Sequence, residues 1–437
     1  MVRLKKFFMA GSGLVLFAMA GVYFMGSTQR PIRTTVLTHV VEKETDTELD
    51  EKLPQPFKQR RLLLNRKCRQ LFTKSARRII WEHFPHEQMI TDANRNFAYC
   101  SVEKAGSTFW KSIFAKLEGK MLPDTTEIPI DVKTKDEIHG IFLYKLKNYS
   151  QQRAMEFLKH ARLMLFVRDP YIRLTSAYMD KLFSPNHFYW AQIGKLIVSR
   201  VRRNPTKHSQ KCGHDVTFNE FLQYFVLSET RRSVPSDHHW KPIWRMCQPC
   251  ALSYRYIGKL ETFTSDAEQI LAMLSANNTV FLHDVSRRDA IVRDVSQYVM
   301  SVLQHLEEYK KCLTLPEILQ RLWALFIFKG YFKGTEPFVS PNISKKDVSV
   351  NLETSLIHQF LNMTILKIKK TVNANSLDSR RNKISREMFR TVSTSLCTDV
   401  QRLVHPDSVL FGYNKNTDIC SQDGATSPVS SIDPNWV

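Results

Sequence analysis

Ala98-Tyr-Cys-Ser-Val-Glu-Lys-Ala-Gly-Ser-Thr-Phe-Trp-Lys-Ser-Ile-Phe-Ala-Lys116 is the stretch around which the rest of the chain is organised. A short apolar and aromatic run (Phe97, Ala98, Tyr99, Val102) ends in the turn-prone Lys104-Ala-Gly-Ser-Thr108. Trp110, Ile113, Phe114 and Leu117 then recur at helical spacing, so the predicted order is strand, loop, helix. The first N–H groups of a helix lack partners within it and the macrodipole favours negative charge there, which makes the turn an anion site. Gly106 lets a phosphate approach the backbone closely, and Lys104 adds a full charge. A Walker A loop carries its lysine after the last glycine, whereas Lys104 precedes Gly106, and a nucleoside triphosphatase is disfavoured. Taken alone, these residues also fit an ordinary β-turn-α with a surface lysine.

A second segment, Leu163-Met-Leu-Phe-Val-Arg-Asp-Pro-Tyr-Ile-Arg-Leu-Thr-Ser-Ala-Tyr178, repeats the order. Leu163 to Val167 is the continuous apolar run of a buried parallel strand. Asp169 before Pro170 is an N-cap with proline at the first helical position. Ser176 lies almost two turns beyond Asp169, so its hydroxyl returns to the face that carries Arg168, and a cation and a hydroxyl can share one phosphate. Two other readings stand beside this one: Arg168 and Asp169 as a local ion pair, or Leu163 to Asp169 as a Walker B strand with a magnesium carboxylate.

Together the two segments resemble the Golgi carbohydrate sulfotransferases, in the group that includes chondroitin and dermatan 4-O-sulfotransferases and the sulfotransferase of the natural killer cell glucuronyl epitope. Glu103 to Lys111 is similar to that family's 5′-phosphosulfate loop, and Phe166 to Tyr178 to its 3′-phosphate motif. His239-Trp-Lys-Pro-Ile-Trp-Arg-Met-Cys-Gln-Pro-Cys250, continuing to Tyr256-Ile-Gly-Lys-Leu-Glu-Thr262, matches a third family stretch in the same order. The resemblance covers roughly Cys68 to Tyr413 and is weak from Ser275 to Ser395. It implies a P-loop-like α/β fold, with a central parallel sheet flanked by helices behind an N-terminal membrane anchor. The implied donor is 3′-phosphoadenosine 5′-phosphosulfate, with no metal. The residues implied to hold it are Glu103, Lys104, Ala105, Gly106, Ser107, Thr108 and Phe109 at one end, and Arg168, Asp169, Pro170, Tyr171, Ile172, Arg173, Leu174, Thr175 and Ser176 at the other. Glu103 stands where the family usually has proline, and an acidic group beside a phosphosulfate is repulsive unless it turns away or pairs with a base. Phe109 stands where asparagine is frequent.

Lys104 is the expected catalytic cation. His139 is the expected base, because an imidazole titrates near working pH and the family often has a histidine near this place. His239, beside Trp240, competes for the role.

From the start, Met1 to Lys6 is a basic cytosolic tail and Phe7 to Gly26 an uncharged run long enough to span a bilayer. A single-pass type II protein of the Golgi membrane with a luminal body is expected. A cleavable signal peptide is the alternative, Ala18-Met-Ala20 being a suitable cleavage site. Residues 27–65 read as a polar luminal stem, 66–420 as the sulfotransferase domain and 421–437 as a loose tail. Sequons at Asn148, Asn277, Asn342 and Asn362 and an even count of 8 cysteines fit an oxidising lumen. Cys247 and Cys250 make one Cys-x-x-Cys without a second, a poor zinc site, and disulfides are expected with connectivity open.

The formal charge of +21, from 63 Lys and Arg against 42 acids, favours a polyanionic partner. A luminal address excludes nucleic acid, whose binding motifs are also missing, and leaves an acidic glycan or glycosaminoglycan acceptor. Lys195 to Lys211 is a basic stretch that suits such a chain or a solvated loop. Leu322 to Phe332 reads as core, and Val409 to Tyr413, similar to the family's closing Leu-Phe-Gly-Tyr, as the packing of a last strand or turn. The expected function is transfer of a sulfuryl group to a sugar hydroxyl. An inactive glycan-binding relative and a luminal nucleotide-dependent kinase are the alternatives.

Overall fold

The computed structural model describes residues 53–73, 84–120, 141–274, 287–341, 352–372, 376–413 and 419–420, all within the unit Thr38–Val437. The expected cytosolic tail, membrane anchor and C-terminal tail, and His139, lie outside these residues. Among the described residues no helix is long and apolar enough to cross a membrane.

One sheet holds four strands in the order β1 (Met89–Asp92), β2 (Phe97–Cys100), β3 (Arg162–Val167) and β4 (Tyr254–Lys259). β2, β3 and β4 run parallel, Tyr99 pairing with Met164 and Leu165 with Ile257. β1 is antiparallel to β2, so the expected parallel sheet carries an antiparallel strand at its edge. Residues 93–96 are too few for a crossover, and Asn96, at a φ of 50°, helps the chain turn straight back. Leu163 to Val167 of β3 is buried throughout, as its continuous apolar run predicts. On β4 a Cβ at Gly258 would lie 2.3 Å from Cζ of Phe166, so the glycine in the Ile-Gly-Lys run is what lets that ring cover the strand.

The longer helices are α1 (Gln55–Leu71), α2 (Ser107–Leu117), α3 (Gln151–His160), α4 (Pro170–Tyr178), α5 (Phe218–Thr230), α6 (Phe263–Met273), α7 (Arg287–Gln304), α8 (Leu315–Phe328), α9 (Leu352–Thr371), α10 (Leu377–Arg390) and α11 (Thr394–Phe411). Trp110, Ile113 and Phe114 of α2 are buried, with Trp110 5.2 Å from Phe166 and Phe114 stacked 6.0 Å from Tyr99. Each such ring stabilises the fold by about 1.5–3 kcal/mol over leaving it exposed. This apolar cluster includes the sheet, α1, α2 and α6; a second one, containing Leu322 to Phe332 as expected, joins α4, α5 and α7 to α11.

Folded structure reaches back to Leu53, into the stretch expected to be stem. Arg60 of α1 donates to Ile257 O at 2.9 Å and pairs with Asp266 at 2.6 Å. α1 is rich in lysine and arginine and buries only Phe57, Arg61, Leu64 and Cys68, which hides its amphipathic pattern. Val409 to Tyr413 closes α11 rather than a strand: Gly412, at a φ of 72°, ends the helix and the Tyr413 hydroxyl donates to Glu261 at 2.8 Å.

All eight cysteines pair, as Cys68–Cys250, Cys100–Cys247, Cys212–Cys312 and Cys397–Cys420. Cys247 and Cys250 thus take different partners and offer no thiolates to zinc. In the basic stretch Arg202 is structural, held between Glu220 at 2.6 Å and Asp215 at 2.8 Å, while Lys195, Arg200, Arg203, Lys207 and Lys211 are exposed. Asn148 and Asn362 of the sequons are exposed, and Asn277 and Asn342 lie outside the described residues.

Candidate functional site

The loop between β2 and α2 turns through two left-handed residues, Lys104 at a φ of 66° and Gly106 at 88°. A Cβ on Gly106 would lie 2.8 Å from the Phe263 ring, so conformation and space both require glycine. Two arginines grip the loop from the second segment. Arg168 donates to Lys104 O at 3.1 Å, and Arg173 donates to Glu103 O at 2.9 Å.

Glu103 answers the question its sequence raised. Its buried carboxylate accepts from Lys111 Nζ at 2.8 Å and from the Ser107 hydroxyl. Burial alone would raise its pKa, but Lys111 and the hydroxyl hold it well below the usual carboxylate range. The acid is therefore paired with a base. Lys104 pairs with Asp180 at 2.8 Å, and Tyr298 donates its hydroxyl to the same carboxylate. Asp180 lies on a π-helical turn, Met179–Phe183, that continues α4.

Glu103, Lys104, Gly106, Ser107, Thr108, Phe109, Arg168 and Ser176 line one cleft of about 680 Å³, a volume in the range of small-molecule sites. It opens beyond the carboxyl ends of β2 and β3, the usual place for ligands in such sheets. The remaining expected site residues among those described do not line it and instead pack behind it. Ala105 is fully buried. Asp169 caps α4, accepting from the N–H groups of Tyr171 at 3.0 Å and Ile172 at 3.2 Å, and Pro170 starts the helix. Tyr171 and Leu174 sit in the helical core, Ile172 is buried on α4, and the Thr175 hydroxyl bonds Ser385 at 2.9 Å. Arg173 also donates to Lys241 O at 2.8 Å and His238 O at 2.9 Å.

Three features escaped the sequence reading or were weighed below their place. Arg381 of α10 lines the cleft with Arg168 and Ser176. Burial, and then the neighbouring Arg381 charge, push the Arg168 guanidinium down to about 9 against the pull of Glu261, Asp169 and Asp378. Two guanidiniums that repel one another across a cleft suit an anion between them. Asp180 lies two residues past the second segment and carries no motif. His239 also lines the cleft. Its Nδ1 lies 2.7 Å from Asp237 Oδ1 and 2.8 Å from the Tyr189 hydroxyl. Tyr189 lies 3.2 Å from Asp237 Oδ2 and can donate there, so Nδ1–H goes to Asp237 and the lone pair is on Nε2. Burial holds this imidazole down at about 4, against the raising effect of Asp237, so it is neutral near pH 7. Asp237-x-His239 was legible as a local pair, since Asp237 also accepts from the His239 N–H at 2.8 Å.

The fold and the cleft define a class: an α/β protein with an anion-holding loop at a helix start, a second cationic subsite of Arg168, Ser176 and Arg381, and a neutral imidazole lining the same space. Residues 87–328, over half of the 437-residue chain, match the sulfotransferase family, and the chain belongs to it. Its curated relatives are carbohydrate sulfotransferases. Carbohydrate sulfotransferase 8 of Mus musculus is 30% identical over 260 residues, 59% of this chain and 60% of that protein. The Homo sapiens protein of the same name is 33% identical over 218 residues, 50% of each. Carbohydrate sulfotransferase 14 of Danio rerio is 35% identical over 188 residues, 43% of this chain and 48% of that protein. The matched part thus spans roughly half of these relatives' length. No solved structure matches the chain.

Proposed function

We propose that this protein transfers a sulfuryl group from 3′-phosphoadenosine 5′-phosphosulfate to a hydroxyl of an acidic glycan. The observation that carries this reading is the pairing, on one cleft, of the Lys104–Thr108 loop with the Arg168, Ser176 and Arg381 cluster. That donor set fits a nucleotide anionic at both its 5′ and its 3′ positions. The donor supplies the activated sulfuryl group and a nucleotide leaving group.

Lys104 and the N–H groups at the start of α2 hold the 5′ end, and Arg168, Ser176 and Arg381 hold the 3′-phosphate that distinguishes this donor from ordinary adenine nucleotides. Lys104 also meets the negative charge that builds on the leaving oxygen, and removal of one such aimed donor typically costs on the order of a hundredfold or more in rate. His239 takes the acceptor hydroxyl proton at Nε2, while Asp237 steadies the imidazolium that forms. His139, the other histidine considered, lies outside the described residues. The pairing of Glu103 with Lys111 argues against an inactive binding protein, because it removes the expected repulsion from the donor. The scheme requires no metal. A Golgi membrane position with a luminal domain, anchored by residues 7–26, completes the proposal; four disulfides favour an oxidising compartment.

Calorimetric titration of the full chain with 3′-phosphoadenosine 5′-phosphate and with adenosine 5′-monophosphate tests the nucleotide part. Two charge-assisted contacts to the 3′-phosphate predict a preference of about a hundredfold for the bisphosphate. Arg168→Ala should erase most of it. Equal affinities in the parent protein would overturn the assignment.

A further inference from the structure

We propose that the acceptor sugar binds at the end of the cleft built by Lys181, His187, Phe188 and His305, with its ring on Phe188 and its acidic group toward Lys181 and the two imidazoles. This rests on the sulfotransferase reading and deepens it by naming where the acceptor lies and why it is acidic.

α7 runs along the cleft and fixes the order of its parts. Midway along it, Asp294 pairs with Lys329 at 2.5 Å, and the Lys329 carbonyl accepts from Arg381, which leads to the Arg168 cluster. Further along, Tyr298 bonds the Asp180 that holds Lys104. Just past the last turn, the His305 ring lies 4.7 Å from that of His187. At 1.5 Å per residue, His305 is about 10 Å beyond Tyr298 and about 16 Å beyond Asp294. The two anion subsites flank the stretch from Asp294 to Tyr298. Of the cleft-lining residues on or just past α7 outside that stretch, Ala290, Ile291 and Arg293 lie on one side and Ser301 and His305 on the other, and the His305 end is the one that carries the exposed Phe188.

That remaining end has the chemistry of an acidic-sugar site. Phe188 is 60% exposed while lining the cleft, in a protein that buries most of its large rings. An exposed ring face on a cleft wall suits the apolar face of a sugar. Lys181 brings an ammonium, set 4.9 Å above the Tyr189 ring and 3.4 Å from Asp180. Tyr189 in turn touches His239, so this end is continuous with the proposed base. Phe188 packs against Tyr189 with ring centroids 5.8 Å apart, so a sugar on Phe188 lies one ring away from the imidazole of His239.

The test is steady-state sulfate transfer by the full chain to desulfated chondroitin and to a neutral oligosaccharide, with donor and acceptor KM measured separately. Phe188→Ala should raise the acceptor KM about tenfold and leave the donor KM unchanged, and Phe188→Trp should restore it. Lys181→Gln should narrow the preference for the acidic acceptor. An unchanged acceptor KM in Phe188→Ala, or a rise confined to the donor KM, would overturn the assignment while leaving the sulfotransferase reading intact. A parent protein that binds both acceptors but transfers to neither would overturn the reading and this inference together. Phe188 is exposed, so its replacement leaves the fold in place, and the donor KM reports that directly.

Discussion

Replacing Lys111 with methionine strands the Glu103 carboxylate. Glu103 is only 6% exposed, and Lys111 supplies its one full positive partner, at 2.8 Å. Breaking a buried pair by removing one member costs about 3–5 kcal/mol, because the remaining charge is left uncompensated. The Lys111 side chain keeps 15% of its exposure, so water reaches the gap and the lower figure, about 3 kcal/mol, applies. For a domain of this size that lowers Tm by roughly 4 °C at neutral pH. Glu103→Gln combined with Lys111→Met removes both charges and should return stability to within about 1 kcal/mol of the parent. The wild-type pair also has a defined pH signature. Its depressed carboxyl pKa means that its stabilisation is full above the ordinary glutamate range and is lost as pH falls toward the lower folded value. In Lys111→Met that pair is gone, so the gap between parent and variant should shrink on acidification. Thermal and urea unfolding between pH 7 and pH 3.5 measures all of this. A single variant costing under about 1 kcal/mol, or a double variant no more stable than the single, would refute the pairing as the reason an acid is tolerated in the loop.

Gly106→Ala forces a side chain into a left-handed residue and against the Phe263 ring, and should weaken bisphosphate binding about tenfold or more while secondary structure by circular dichroism stays unchanged. Unchanged binding would show that the loop does not close on the nucleotide. His239 is held down to about 4, so between pH 6.5 and 4 the unfolded chain binds the extra proton and this group's contribution to stability falls as pH falls. Asp407, pushed up to about 6 by burial, acts in the opposite sense across pH 3.8–6, so the difference between parent and His239→Gln is the informative quantity. His239→Gln should lose less stability over that window than the parent, and parallel curves would contradict a buried neutral imidazole.

Both strand-loop-helix units were legible in sequence because each joins a local apolar run to a turn signal within a few residues. Asp169 caps α4 and Gly106 caps α2 as their residue types predict. What sequence left unread depends on long-range pairing. β1 offers only Met89–Asp92, too short to show alternation, and its antiparallel direction follows from a turn rather than from its own residues. Arg381 lies far along the chain from Arg168, and only the packing of α10 on α4 makes the two neighbours. Arg173 and Thr175 resembled ligand residues through their place in a motif, yet they sit in the scaffold: the buried Arg173 guanidinium donates to three backbone carbonyls, and neither side chain lines the cleft. Glu103 looked like a defect until Lys111, two turns along, closed on it.

The measurement that bears most directly on the account is transfer of radiolabelled sulfate from 3′-phosphoadenosine 5′-phosphosulfate by the full chain to desulfated chondroitin, dermatan, heparan and N-glycan acceptors, with Lys104→Ala alongside. Label on an acidic acceptor, unchanged by a chelator and reduced a hundredfold or more in Lys104→Ala, is the predicted result. A folded chain that binds the bisphosphate nucleotide but labels no acceptor, or one whose transfer survives Lys104→Ala undiminished, would contradict it.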